Sequence, residues 1–174
     1  MNPKIRHMAI IAQIAALYAV LFYAQNFILP GSASMAVQFR VAEALNVLAL
    51  FTPYAIPGLT LGCVISNLSG IASGLPLDMI FGSVATLIAT SLMYLLRNAK
   101  IKSYPLPAML MPALLNGIIV GWEIEVFYVE GEFEWIGFLT QGSFVALGEL
   151  GVMLVLGTIL YYAVKKRRID KMVK

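Results

Sequence analysis

Residues 38–58 read QFRVAEALNVLALFTPYAIPG, and they set the problem the whole chain must solve. Arg40, Glu43 and Asn46 stand three apart in an otherwise apolar run that ends at the turn-forming cluster FTPYAIPG (51–58). Three-residue spacing places neighbours of such a row on one helix face. A buried ion costs several kcal/mol unless it is paired and hydrogen-bonded, so the row needs partners from elsewhere in the fold. Arg40 and Glu43 can pair with each other and lock a bundle, or the row can border a polar site.

Outward from that stretch the chain is apolar almost throughout. Hydrophobic residues make up 60% of its 174 positions and charged ones 12%, and the mean hydropathy is +0.86. Breaks at Pro and Gly clusters leave six apolar segments, at 8–29, 38–52, 56–73, 78–96, 106–128 and 136–164. Most approach the roughly 20 residues that cross a bilayer as a helix. The sequence therefore predicts an all-α integral membrane protein of six transmembrane helices, folded as a single transmembrane domain over residues 1–174. The second segment is short, and crossing would require help from its neighbours or a thinned boundary. Residues 8–29 are long enough to be a retained helix in place of a cleaved signal.

Charge placement sets the orientation. Lys4 and Arg6 precede the first segment; Arg97, Lys100 and Lys102 separate the fourth from the fifth; Lys165, Lys166, Arg167, Arg168, Lys171 and Lys174 follow the sixth. Six crossings put all of these on one side, which the positive-inside rule makes cytoplasmic, together with both termini. Arg40 is the exception. Glu130, Glu132 and Glu134 fall in the loop facing outward. The net charge of +3 thus belongs to a membrane-anchoring pattern, and nucleic-acid binding is not needed to explain it.

Several chemistries are disfavoured. The lone Cys63 lies in an apolar run and reads as packing, and the lone His7 at the basic N-terminus offers no HExxH metal site. No phosphate-binding GxxxxGK[ST] loop is present. No metal or cofactor is expected, and uphill work would need ATP hydrolysed by another chain.

On this topology polar groups from five segments converge in the outer half: Arg40, Glu43 and Asn46; Asn67; Asp78; Asn116, Trp122 and Glu123; Gln141 and Glu149. Ionisable residues within a membrane usually face a cavity or a partner. Blander roles remain open for some of them. Asp78 can cap the fourth segment, Trp122 can anchor a helix at the interface, and Glu123 with Glu125 can be solvated at the loop edge. Glu149 has no cation within a helical turn and needs a donor from another segment. Gly58 with Gly62, Gly70 with Gly74, and Gly117 with Gly121 form small-residue strips suited to close helix contact. A further strip of Ala9, Ala12 and Ala16, with Ala15 and Ala19, lies on the first segment, where it can serve internal packing or docking of another membrane protein.

The segment QFRVAEALNVLALFTPYAIPGLTLGCVISNL (38–68), followed by DMIFGSVATLIATSLMYLLR (78–97), resembles the QueT family of queuosine-precursor transporters. These are substrate-binding S-components of energy-coupling factor (ECF) importers in prokaryotic cell membranes. The resemblance extends over nearly the full chain. It implies an S-component-like bundle with a site open to the outside, a lid formed by PGSASMAVQ (30–38), and capture of a 7-deazaguanine base such as preQ1, preQ0 or queuine. It also implies two ATPase subunits and a transmembrane scaffold as partners, docked through the Ala12-xxx-Ala16 strip. A guanine-like edge presents adjacent N–H donors that a carboxylate such as Glu43 or Glu149 can accept. Trp122, Tyr128 or Phe144 can stack on its face, and Glu123, Glu125 and Glu130 would attract a cationic aminomethyl group. Other readings are an S-component for another vitamin-like molecule, a membrane-embedded enzyme using Glu43 and Glu149 as acid and base, and a scaffold protein.

Overall fold

The computed structural model describes residues 2–32, 38–72 and 75–167. Most of the proposed lid (33–37), Gly74, and the tail residues Arg168, Asp170, Lys171 and Lys174 lie outside the described residues. Each of the six apolar segments is helical. Helix α1 (Pro3–Ile28) starts where the Asn2 side chain accepts from Lys4 N at 3.0 Å, with Pro3 in the first turn, where a missing N–H is harmless. Next come a 3₁₀ helix (Val41–Leu50), α2 (Ala55–Ala72) and α3 (Asp78–Leu95). The fifth segment is split into α4 (Leu106–Met109) and α5 (Met111–Phe127), since Pro112 cannot donate to the ladder across the break. The sixth is α6 (Trp135–Val152), one π-helical stretch (Met153–Gly157) and α7 (Thr158–Lys166).

Four of these rods are long and apolar enough to cross a membrane: Pro3–Ile28, Asp78–Asn98, Leu106–Phe127 and Trp135–Lys166. Two are shorter, Val41–Leu50 and Ala55–Gly70. The protein is a multi-pass helical membrane protein. Its surface carries large exposed apolar residues along the rods, among them Val20, Leu61, Ile88, Ile118 and Leu147, while Arg40, Glu43, Asn46 and Glu149 are buried. Lipid solvates the first set; the second must be satisfied inside.

Helices α1, α2, α3, α5 and α6 pack in that order, each against the next. The 3₁₀ helix lies within their arc, touching α1, α2, α3, α6, the π-helical stretch and α7. Close approach comes from small residues. A Cβ on Gly62 would stand 2.6 Å from Tyr18 Cβ, so α1 and α2 meet where Gly62 faces Tyr18 and Ala15. A Cβ on Gly121 would stand 2.5 Å from Gly142 Cα, which places the α5 and α6 backbones in direct contact.

The inner end is fixed by aromatic contacts. His7 stacks on Tyr54 at 4.1 Å, Phe51 on Tyr161 at 5.7 Å, and the Tyr104 hydroxyl shares a 2.5 Å hydrogen bond with Thr158. The N-terminus, the 51–54 turn, the 99–105 loop and α7 therefore share one end of the bundle. That grouping is the one the cations require.

The alanine strip on α1 divides between two faces. Ala15 and Ala19 are buried, Ala15 against α2 at Gly62, so neither can dock another protein; internal packing takes that half of the strip. Ala12 and Ala16 are exposed and Ala9 is half-buried.

Candidate functional site

The short second segment differs from an α-helix in a way that shapes the site. Its bonds run from residue i+3 to i, as in Glu43 N to Arg40 O at 3.0 Å and Phe51 N to Leu48 O at 3.0 Å. A 3₁₀ helix rises about 2.0 Å per residue against about 1.5 Å for an α-helix, so ten residues reach about 20 Å, not 15. Side chains three apart also eclipse in this geometry. Arg40, Glu43 and Asn46 consequently form one straight column, continued downward by Ala49 and Thr52. In an α-helix the same residues would fan round the axis.

Each member of the column is held from another helix. Arg40 Nη2 and Asp78 Oδ2 make an ion pair at 2.5 Å between the entrance of the 3₁₀ helix and the start of α3. Glu43 accepts from the Tyr18 hydroxyl of α1 and from Asn46 Nδ2 at 2.5 Å. The pair therefore joins Arg40 to Asp78, and the carboxylate of Glu43 is taken up by Tyr18 and Asn46. Asp78 is the first residue of α3 rather than its cap; Leu77 holds the cap position without a side-chain bond. Asn67 Nδ2 donates to the Asp78 carbonyl at 2.9 Å. Gly82 leaves room for both, since a Cβ there would lie 3.0 Å from Asn67 Nδ2 and from Asp78 Oδ1.

The second half of the cluster comes from α5 and α6. Glu149 finds its donor in Asn116, whose Nδ2 lies 3.0 Å from Oε1. Glu149 is within electrostatic reach of Glu43 and Arg40, and Glu123 of Asp78 and Arg40. Glu123 is 1% exposed and Glu149 3%. Neither Glu123 nor Glu125 is solvated at a loop edge. Glu125 is buried at the top of α6, where its Oε1 accepts from Glu134 N at 3.2 Å and satisfies an orphan donor of that helix start.

Bond by bond, the cluster is short of donors. Asn46 Oδ1, Asp78 Oδ1, both oxygens of Glu123, and Glu149 Oε2 are buried without a hydrogen-bond partner among the described residues, as are Glu125 Oε2 and the Ser83 hydroxyl; all of them accept, and only the hydroxyl can also donate. Buried polar atoms are normally satisfied, and each one that is not costs about 1–3 kcal/mol. Above the Arg40–Asp78 pair opens a cavity of about 540 Å³, lined by Phe22, Tyr23, Asn26, Arg40, Asn67 and Asp78 among others. That size falls within the roughly 300–1,000 Å³ of small-molecule pockets. Glu43, Asn46, Glu123 and Glu149 do not line it, so the ion pair forms its floor above the deeper acceptors.

Some candidates stand apart. Trp122 is 40% exposed and packs on Phe81 and Phe127 at 5.7 and 5.8 Å, on the outer surface of α5. Gln141 is half-buried at the α5–α6 contact, and Phe144 is exposed. Tyr128 accepts from Leu77 N at 3.2 Å, tying the end of α5 to the start of α3. Glu130, Glu132 and Glu134 are exposed.

Two residues that the sequence did not single out are structural members of the site. Tyr18 looks like packing in an apolar run, yet its hydroxyl reaches Glu43. Gln25, also on α1, donates to Ser32 Oγ at 2.8 Å and to the Phe39 carbonyl, and accepts from Val41 N at 2.7 Å. One amide thus clamps both ends of the 32–39 connection and the entrance of the 3₁₀ helix. Its signal was the Gln25-Asn26 pair inside an otherwise apolar stretch, where an unpaired amide is costly.

A membrane-embedded polar cluster lying beneath a cavity of small-molecule size is the build of a protein that handles a small solute. The family described as QueT transporter matches residues 8–166. The Queuosine precursor transporter QueT of Lactococcus lactis subsp. cremoris (strain MG1363) is 31% identical over 160 residues, covering 88% of this chain and 89% of the relative. No solved structure matches the chain. The chain belongs to the QueT transporter family, and it is a transporter rather than an enzyme.

Proposed function

We propose that the protein is the substrate-capturing S-component of an ATP-driven ECF importer in a prokaryotic cell membrane, and that its cargo is a queuosine precursor of the 7-deazaguanine class. The substrate reading starts from the relative's printed function. It is supported most by the unpartnered acceptors Asn46 Oδ1, Asp78 Oδ1, Glu149 Oε2 and the Glu123 carboxylate. A 7-deazaguanine edge carries adjacent ring and amino N–H groups, the complement of an acceptor-only set. Four carboxylates (Glu43, Asp78, Glu123, Glu149) surround one guanidinium, which favours preQ1, with its cationic aminomethyl group, over the neutral nitrile of preQ0. The same imbalance opposes an acidic vitamin, whose carboxylate would meet like charge.

In this reading the base enters the outer cavity and settles against Asn67 and the Arg40–Asp78 pair. The deeper oxygens come within reach as that pair opens around it. Capture needs no ATP, so purified protein should show a thermal shift with preQ1 that preQ0 and an acidic vitamin do not match. Glu149→Gln replaces an acceptor by an amide that also donates, and it should weaken preQ1 binding by more than about tenfold, or 1.4 kcal/mol, in calorimetry. A vitamin that shifts the melting temperature while no deazaguanine does would leave the fold standing and remove the substrate assignment.

Coupling to a scaffold and two ATPases rests on the exposed half of the α1 strip. Ala12 and Ala16 stand one helical turn apart and let a partner helix approach closely. Ala16→Leu is expected to abolish co-purification of the scaffold while leaving preQ1 binding at the wild-type level. Retention of the complex by that variant would exclude this face as the contact.

A further inference from the structure

We propose that the cytoplasmic end carries a second binding site, unrelated to the outer cavity, that takes a phosphate group, supplied in the membrane by an acidic phospholipid. A cavity of about 280 Å³ opens there between the foot of the 3₁₀ helix, the end of α3 and α7, lined by Leu50, Phe51, Arg97, Lys100, Tyr161 and Lys165 among others. Three cations and an apolar floor thus meet in one concavity. No carboxylate lines it. Among the described residues the flanking segments hold no Asp or Glu between Asp78 and Glu123, nor from residue 150 to 167.

The cations are held in place. The Arg97 guanidinium lies 3.8 Å over the Tyr94 ring and spends one Nη1 bond, at 2.5 Å, on the Tyr94 carbonyl, which leaves further N–H groups of its fork for a ligand. Lys165 Nζ stands 5.7 Å from the Tyr161 ring centroid, and Tyr161 itself stacks on Phe51. Lys100 is brought in by a tight turn in which Lys102 and Ser103 both adopt left-handed backbone, at φ 49° and 68°. Non-glycine residues enter that region at a cost. Here the turn is closed by Ile101 N to Tyr104 O at 2.9 Å and Tyr104 N to Ile101 O at 3.0 Å, and anchored by the Tyr104–Thr158 bond.

Orientation in the membrane explains why cations lie on this side, and helix-end electrostatics favours Arg97 and Lys165 near the ends of α3 and α7. Neither accounts for the hollow in which Arg97, Lys100 and Lys165 meet. Basic pockets between helices on the cytoplasmic side are suited to acidic headgroups, whose phosphate meets the cations while acyl chains remain in lipid.

The test uses delipidated full-length protein in neutral detergent, titrated with phosphatidylglycerol, phosphatidylcholine or inorganic phosphate, with binding read by thermal shift. Phosphatidylglycerol should bind far more tightly than phosphatidylcholine, and Arg97→Gln and Lys165→Gln should each weaken it about fivefold. Lys102→Gln, in the same loop but outside the cavity, should leave it unchanged, and preQ1 binding should be unaffected in all three. A shift from inorganic phosphate that phosphatidylglycerol does not exceed would support the site and assign it to a soluble anion. Equal losses from Lys102→Gln and Lys165→Gln, or no preference over phosphatidylcholine together with no shift from inorganic phosphate, would overturn it. Because preQ1 is followed in parallel, either failure is distinct from failure of the substrate assignment.

Discussion

The Asp78→Ala protein is expected to lose about 3–5 kcal/mol of stability, the usual cost of stranding one member of a buried ion pair. Arg40 is 6% exposed and Asp78 8%, and their 2.5 Å contact joins the top of the 3₁₀ helix to the start of α3. Removing the carboxylate leaves a guanidinium deep in the bundle with its main counter-ion gone. Denaturant unfolding in detergent measures the loss directly. The double variant Arg40→Met with Asp78→Leu should recover much of it, since replacing both charges by apolar groups of similar volume is often neutral. A single-variant loss below about 1 kcal/mol, the scale of a surface pair, would show that water already reaches these charges.

Gly121→Leu is the other change with a large expected effect. Even the first carbon of the new side chain would lie 2.5 Å from Gly142 Cα and 2.8 Å from Gly142 N, and backbone atoms cannot rotate out of the way. Overpacking of a tight contact costs about 1–3 kcal/mol, and this one falls at the upper end or beyond because whole helices must part. Separating α5 from α6 would also draw Asn116 away from Glu149, so ligand binding should fall together with melting temperature. Trp122→Leu, at an exposed position on the same helix, should change both far less.

Much of this architecture could be read from the residues themselves. The six apolar segments reappear as helices, and Arg97, Lys100 and Lys165 meet at one end of the bundle, because hydrophobic length and charge placement are set by the bilayer and not by tertiary detail. Among the polar candidates, Arg40, Glu43, Asn46, Asn67, Asp78, Asn116, Glu123 and Glu149 are all buried. Burying so many of them without mutual contact would have been prohibitive. Their pairings were not legible. Spacing of three is compatible with both α and 3₁₀ geometry, so residues 40, 43 and 46 gave no reason to prefer the straight column. With the column unknown, the spacing offered Arg40–Glu43 as the pair, whereas the bond formed is Arg40–Asp78, which joins residues 38 apart.

Tyr18 and Gln25 were hidden for a different reason. One polar atom in an apolar helix declares itself only when its distant partner is known. The alanines of α1 show the same limit. Ala12 with Ala16 and Ala15 with Ala19 share one spacing, yet a helix turns about 100° per residue, so the two pairs face different neighbours. Sequence alone could not tell which pair met Gly62.

The central claim is that the unfilled oxygens around the 3₁₀ column receive the N–H groups of a planar base. Determining the structure of the purified protein with preQ1 bound tests this most directly. The base should lie beside the Arg40–Asp78 pair, with its N–H groups at about 2.7–3.2 Å from at least two of Glu149 Oε2, Asn46 Oδ1, Asp78 Oδ1 and the Glu123 carboxylate. A base bound elsewhere, with those oxygens dry and still unpartnered, would contradict it.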